Sequence, residues 1–253
     1  MMNTELVGPQ WFEPTKQIGD EIIICGGDSF TKYSVYHSLG IKTWTEQLAE
    51  HFGRKVVVVG QPGAGNKLIQ QRVTEQLLTH NKIHSVFVMW TTLFRSSWKI
   101  SPSMYENIRP ISTYSEAQLE RIEMDSFKTI FSKLIDVNHQ HQLVDESLHS
   151  FYNLQEQLRA RNIPYGFHWY RNDNTDMKVI KEFLAHPVYN HIQESAFKGW
   201  PLFKEIGGEG LVSEKNAFGS SSSPDLRNHP NQIGHDMYAK SIIQHFEKEV
   251  LKQ

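Results

Sequence analysis

At 253 residues the chain is long enough to bury a sizeable core as one large domain, so neither disulfides nor a structural metal is needed to hold it together. Its single cysteine, Cys25, excludes an intrachain disulfide, and the balance of 26 Lys and Arg against 28 Asp and Glu, a net charge of -2, argues against a protein devoted to the nucleic-acid backbone. A content of 11% aromatic residues is too rich for disorder, no stretch approaches the roughly 18 uninterrupted apolar residues of a membrane span, and Met1 to Pro14 has no signal-peptide pattern. The expectation is a soluble protein, cytoplasmic or otherwise free of the membrane.

In chain order, Glu21 to Cys25 holds three consecutive isoleucines before Gly26-Gly27, which reads as a strand buried on both faces. Ile41 to Phe52 places Trp44, Leu48, Ala49 and Phe52 at helical spacing, with Gly53 where a C-cap glycine belongs. Lys55 to Val59 is a second buried strand, Leu68 to Leu78 a helix, and Ser85 to Trp90 a third strand. Helices between successive strands, with no hairpin signals, predict parallel βαβ units.

From Thr91 to about Asn138 the pattern blurs, with helix expected over Ser115 to Ile135, and residues 93–140 read as an insertion into a single domain spanning 1–253. Val144 to Arg161 is a helix and Ile163 to Trp169 a fourth strand, Pro164 being tolerated near a strand's start. Gly207 to Pro224 is a glycine- and serine-rich loop. Ile233 to Leu251 closes the chain as an amphipathic helix with Ile233, Met237, Ile242, Phe246 and Val250 on or near one face.

In an open parallel sheet, ligands bind beyond the carboxyl ends of the strands. The loop Gly26-Gly27-Asp28-Ser29-Phe30-Thr31 lies there, and its glycines let the backbone turn sharply beneath the Ser29 hydroxyl. The alternative is a polar turn in which Asp28 and Ser29 only cap a helix. A serine needs a base to become a nucleophile, and His229 stands in the run Asp225 to Asn231, just before the last helix. Asp225 is placed to orient its imidazole.

The Gly27-Asp28-Ser29 turn after the first strand, Pro62-Gly63-Ala64-Gly65-Asn66 after the second, and His229-Pro230-Asn231 with Gly234-His235 before the last helix resemble an SGNH hydrolase of the GDSL type. The resemblance covers about Glu21 to Trp90 and Asp225 to Ala239. It implies a three-layer α/β/α sandwich with a central parallel sheet, flavodoxin-like, in which Ser29 attacks an ester carbonyl, His229 acts as base and the amides of Ser29 and Gly63 form part of an oxyanion hole. Two departures stand out. The family's third block supplies an asparagine where this chain reads Trp90-Thr91-Thr92, leaving a hydroxyl of Thr92 or Thr91, or the Asn66 amide, as substitute donor. The family's aspartate lies three residues before the histidine, where this chain has Leu226; Asp225 is four before, so a Ser29-His229 dyad is the alternative to a triad.

The resulting expectation is an esterase acting on an acyl or acetyl group, with a small-molecule or carbohydrate ester as partner and no cofactor. A catalytically weak binding protein and an O-acyltransferase are the alternatives. Asn66, Trp90 and Trp169 are candidate substrate-binding residues, the two aromatic rings because such faces stack on sugars or acyl groups. Gly60 to Lys67 fails the P-loop register, since Asn66 separates Gly65 from Lys67 and Leu68 follows. His139-Gln140-His141, with His149 nearby, reads as a solvated histidine-rich turn, so no metal is expected. Cys25, inside a buried strand, reads as a small core residue.

Overall fold

The computed structural model describes residues 4–5, 8–32, 35–101, 104–108, 140–169, 177–210, 217–218, 226 and 229–251. Two short strands come first, β1 (Thr4–Glu5) and β2 (Gln10–Phe12). The isoleucine run forms β3 (Ile22–Gly26), buried along its whole length. After a short helix, α1 (Val35–Ser38), comes α2 (Trp44–Phe52). Its start is a capping box: the Thr43 hydroxyl accepts the Glu46 N–H and the Glu46 carboxylate accepts the Thr43 N–H at 2.7 Å. It stops at Gly53, whose φ of 59° lies in the left-handed region that glycine enters without strain.

The valine run gives β4 (Lys55–Val58), followed by α3 (Asn66–Thr79) and β5 (Ile83–Trp90). Two further strands, β6 (Ser96–Ser101) and β7 (Met104–Ile108), precede the long α4 (Gln140–Ala160). Then come β8 (Tyr165–Trp169), α5 (Met177–Ala185), β9 (Phe197–Lys198) and α6 (Gln232–His245), which runs on as one π-helical turn over Phe246–Val250.

Among the described residues the main sheet has the order β2-β4-β3-β5-β8-β9. Its last five strands are mutually parallel, with Cys25 opposite Val58, Gly26 opposite Val88 and Trp90 opposite Trp169. The parallel α/β arrangement expected from the sequence is therefore present, and the carboxyl ends of β3, β4, β5 and β8 share one edge. Helices α3, α4 and α5 pack on one face through Leu68, Phe151 and Phe183. Helices α2 and α6 pack on the other through Trp44, Leu48, Tyr238 and Ile242. These are the three layers.

Four features depart from the sequence expectation. Strand β2 pairs antiparallel with β4, so the sheet is mixed. Strands β6 and β7 form an antiparallel pair that also takes in β1, inside the segment read as a patternless insertion. Strand β9 and helix α5 were not anticipated. Ile233 is 52% exposed, and the buried face of α6 is instead His235, Tyr238, Ala239 and Ile242. The helix expected over Ser115 to Ile135 lies outside the described residues.

Candidate active site

Asp28 organises the loop after β3. Its side chain is almost wholly buried, at 2% exposure. One carboxylate oxygen accepts the Phe30 N–H at 2.9 Å, and its backbone carbonyl accepts the Thr31 and Lys32 N–H groups at 3.1 Å each. The other oxygen accepts the Thr91 hydroxyl at 3.0 Å and the Arg95 guanidinium at 2.8 Å. A buried carboxylate is tolerated only when paired and hydrogen-bonded in this way. The consequence is a clamp: the turn that carries Ser29 is fixed from within by its own backbone and from outside by the loop after β5. Ser29, next to Asp28, is partly exposed at the tip.

The loop after β4 joins the same assembly. The Gln61 N–H donates to the Gly27 carbonyl at 3.0 Å, and the Ala64 N–H to the Gln61 carbonyl at 3.0 Å. Between them sits Gly63, with φ at 77°. Gly65 packs so tightly on the loop after β5 that a Cβ there would collide with the Arg95 carbonyl, and its N–H donates to the Ser97 hydroxyl at 2.7 Å. Asn66 completes the joint. Its side-chain carbonyl accepts the Thr91 N–H at 3.0 Å, while its amide donates to the Thr91 carbonyl at 3.1 Å and to the Ser147 hydroxyl at 3.0 Å.

The segment before α6 reaches this edge from far along the chain. The His229 ring lies edge-on to the Phe30 ring, with centroids 5.6 Å apart, and Phe218 lies on the same phenyl at 5.8 Å. The His229 N–H donates to the Leu226 carbonyl at 2.9 Å, and Pro230 bridges to Phe218. Asn231 caps α6 by accepting the Gly234 N–H at 3.1 Å and donates its amide to the Phe218 carbonyl. Of the two histidines in this motif, only His229 is partly exposed. His235 is fully buried, its Nδ1 accepting the Trp44 N–H at 3.3 Å, and burial pushes its pKa down to about 3.

The residues singled out by sequence therefore separate. The Ser29 turn, the Gly63 loop and the Thr91-Thr92 segment are bonded into one unit, and His229 packs against the neighbour of Ser29. Asp225 lies outside the described residues. Thr91 spends its hydroxyl on Asp28, whereas among the described residues the Thr92 hydroxyl oxygen only accepts, from the Phe94 N–H at 3.4 Å. Asn66 is corrected from substrate contact and substitute donor to structural bracket, because its amide is committed and the residue is buried. Trp90 and Trp169 are corrected likewise: at 0% and 1% exposure they belong to the core. Sequence reasoning missed Arg95, which stands in a stretch without periodic signal and is identified only by its contact with Asp28.

No protein-family model matches the sequence, and no curated protein sequence matches it. Solved structures to which the chain is similar include esterases, proteins described as of the G-D-S-L or SGNH-hydrolase family, and an acyltransferase. One is a catalytic mutant of the acetylxylan esterase Axe2 from Geobacillus stearothermophilus, at 17% identity over 91% of this chain and 96% of that one, with a TM-score of 0.48. Another is a protein from Desulfitobacterium hafniense described as lipolytic and of the G-D-S-L family, at 12% identity over 89% and 99%, with a TM-score of 0.47. A third is AlinE4, an SGNH-hydrolase family esterase, at 15% identity over 82% and 90%, with a TM-score of 0.33. Among the described residues, no helix is long and apolar enough to cross a membrane.

Proposed function

We propose that the protein is a serine hydrolase that cleaves an ester, favouring an acyl or acetyl group on a carbohydrate, through an acyl-enzyme intermediate. The observation that carries this reading is the clamped turn: Asp28 fixes a partly exposed serine at the carboxyl edge of the sheet, and the distant His229 packs on the adjacent Phe30. In the first step Ser29 Oγ bonds to the ester carbonyl carbon while its proton passes to His229. The carbon to alcohol-oxygen bond then breaks and the leaving alcohol takes that proton. Water repeats the sequence in reverse on the acyl-serine. Asp225 is assigned the role of orienting the imidazole, and the amides of Ser29 and Gly63 with the Thr92 hydroxyl that of stabilising the developing oxyanion. Transfer to another hydroxyl would use the same residues.

Labelling with a fluorophosphonate probe tests the reading, because only an activated serine reacts. Wild type should label and lose esterase activity together, whereas Ser29→Ala and His229→Ala should stay unlabelled and folded. An unlabelled wild type across a range of pH would favour the binding-protein alternative, to which the loss of the Thr91 and Asn66 groups to structural bonds already lends weight.

A further inference from the structure

On the far side of the α3-α4-α5 layer, two helices present metal-ligating side chains to each other. Asp145 and His149 stand one turn apart on α4, and His186 follows the last residue of α5. The His186 Nε2 lies 2.9 Å from Asp145 Oδ1, and the His149 Nε2 lies 3.5 Å from the same oxygen. The two imidazoles meet edge-on with centroids 5.4 Å apart. One ligand atom from each of the three residues lies within 4.8 Å of the others. Ligand atoms around a tetrahedral zinc ion stand about 3.3 Å apart, given bonds of about 2.0 to 2.2 Å, so side-chain rotations alone would close the set.

We propose that Asp145, His149 and His186 bind a divalent first-row transition ion, zinc in the first place, that ties α4 to α5. This inference does not depend on the hydrolase reading. Two imidazoles and one carboxylate suit zinc better than the all-oxygen sets of magnesium or calcium. Three protein ligands leave a fourth position for water, and a groove of about 300 Å³ lined by Asp145, Glu146 and His149 opens beside them.

The change has a defined cost. His186 Nδ1 accepts the Val188 N–H at 3.2 Å, which places the ring proton on Nε2, facing Asp145. Coordination through Nε2 moves that proton to Nδ1 and gives up the Val188 bond. The His141 contact with Glu182 lies one turn earlier on both helices and stays separate. The sequence carried the signal as Asp145 and His149 at i,i+4, beside the His139-Gln140-His141 run that drew attention instead.

The test titrates tag-free, chelator-treated full-length protein with zinc chloride by calorimetry near neutral pH, with cobalt(II) absorption to read the geometry. Wild type should bind one ion per chain with a tetrahedral cobalt spectrum. His149→Ala and Asp145→Asn, both exposed positions, should each weaken binding about tenfold or more, while His141→Ala leaves it unchanged. The proposal falls if wild type shows no saturable binding, if the site survives His149→Ala with its affinity intact, or if His141→Ala abolishes it.

Discussion

The two faces of the central sheet are covered by different chemistry. Against α3, α4 and α5 the sheet presents Ile22, Ile24, Val57, Val86 and Val88, and the layer above is aliphatic and aromatic. Against α2 and α6 it presents Ile23, Cys25, Val56, Val58 and Phe87, but this layer also encloses the imidazoles of His168 and His235, with the half-buried His245 beside them. His168 of β8 stacks on Phe87, with centroids 6.3 Å apart, and meets His245 of α6 edge-on at 5.9 Å. His235 sits between Tyr36 and Tyr238. Both ring nitrogens of His168, and Nε2 of His235 and His245, find no hydrogen-bond partner among the described residues. Among the described residues, one face thus buries no imidazole, whereas the other buries two that burial keeps neutral in the folded chain.

The largest effect expected comes from the face without a buried imidazole. Phe151→Ala in α4 removes a fully buried ring that packs on Trp90 and Phe197, and should cost about 3 to 5 kcal/mol. Denaturant melts should give the same loss at neutral and at mildly acidic pH; a loss that depended on pH would break the contrast between the faces.

The second effect belongs to the histidine face. Burial, with the charges of His245 and Lys198 adding to it, holds His168 well below the ordinary imidazole value, and burial alone takes His235 to about 3. The unfolded chain takes up these protons near pH 6.5 and the folded chain does not. Stability from these groups is therefore complete well above pH 6.5 and falls as pH drops toward the folded values, with a slope that approaches about 1.4 kcal/mol per pH unit for each group, or about 2 kcal/mol for the pair between pH 6.5 and 5.5. Urea melts of wild type should show this slope, and His168→Phe should reduce it by about half whatever it does to stability at neutral pH. An unchanged slope in that variant would move the pH sensitivity elsewhere.

The smallest effect separates position from chemistry. Thr43→Ala removes the cap of α2, on the histidine side of the sheet, and should cost about 1 kcal/mol. His235 accepts the adjoining Trp44 N–H, but the Thr43 hydroxyl bonds only Glu46 and Thr45, so thermal melts above and below the window should show equal losses.

What could be read from the sequence follows the range of the forces involved. The runs at Ile22 to Ile24 and Val56 to Val58, and the Trp44 helix with its glycine stop, announce themselves because burial on both faces and a left-handed cap leave local marks. Strands β2 and β9 have three and two residues, too few for any period, and their identity comes from a partner elsewhere in the chain. The candidate site divides in the same way. Ser29, Gly63 and His229 stood out as motif positions, but the bonds from Arg95 and Thr91 to Asp28, and from Asn66 to Thr91, run to the loop after β5, which has no signature of its own. Ile233 misled because hydrophobicity was counted while His235 and Tyr238, polar in name, supplied the buried surface.

Trp44 ties the histidine face to the serine loop in a way that light can follow. Its indole N–H donates to the Phe30 carbonyl at 3.2 Å, and its backbone N–H to His235, so the fluorophore is wired to the residue beside Ser29 at one end and to a buried imidazole at the other. Movement of the Ser29 turn alters the dipole bonded to the indole and with it the emission. Trp90 and Trp169, enclosed on the opposite face, supply a steady background. A single Trp44→Phe difference spectrum therefore isolates an intrinsic optical channel whose source is bonded to the residue after Ser29, with no dye attached.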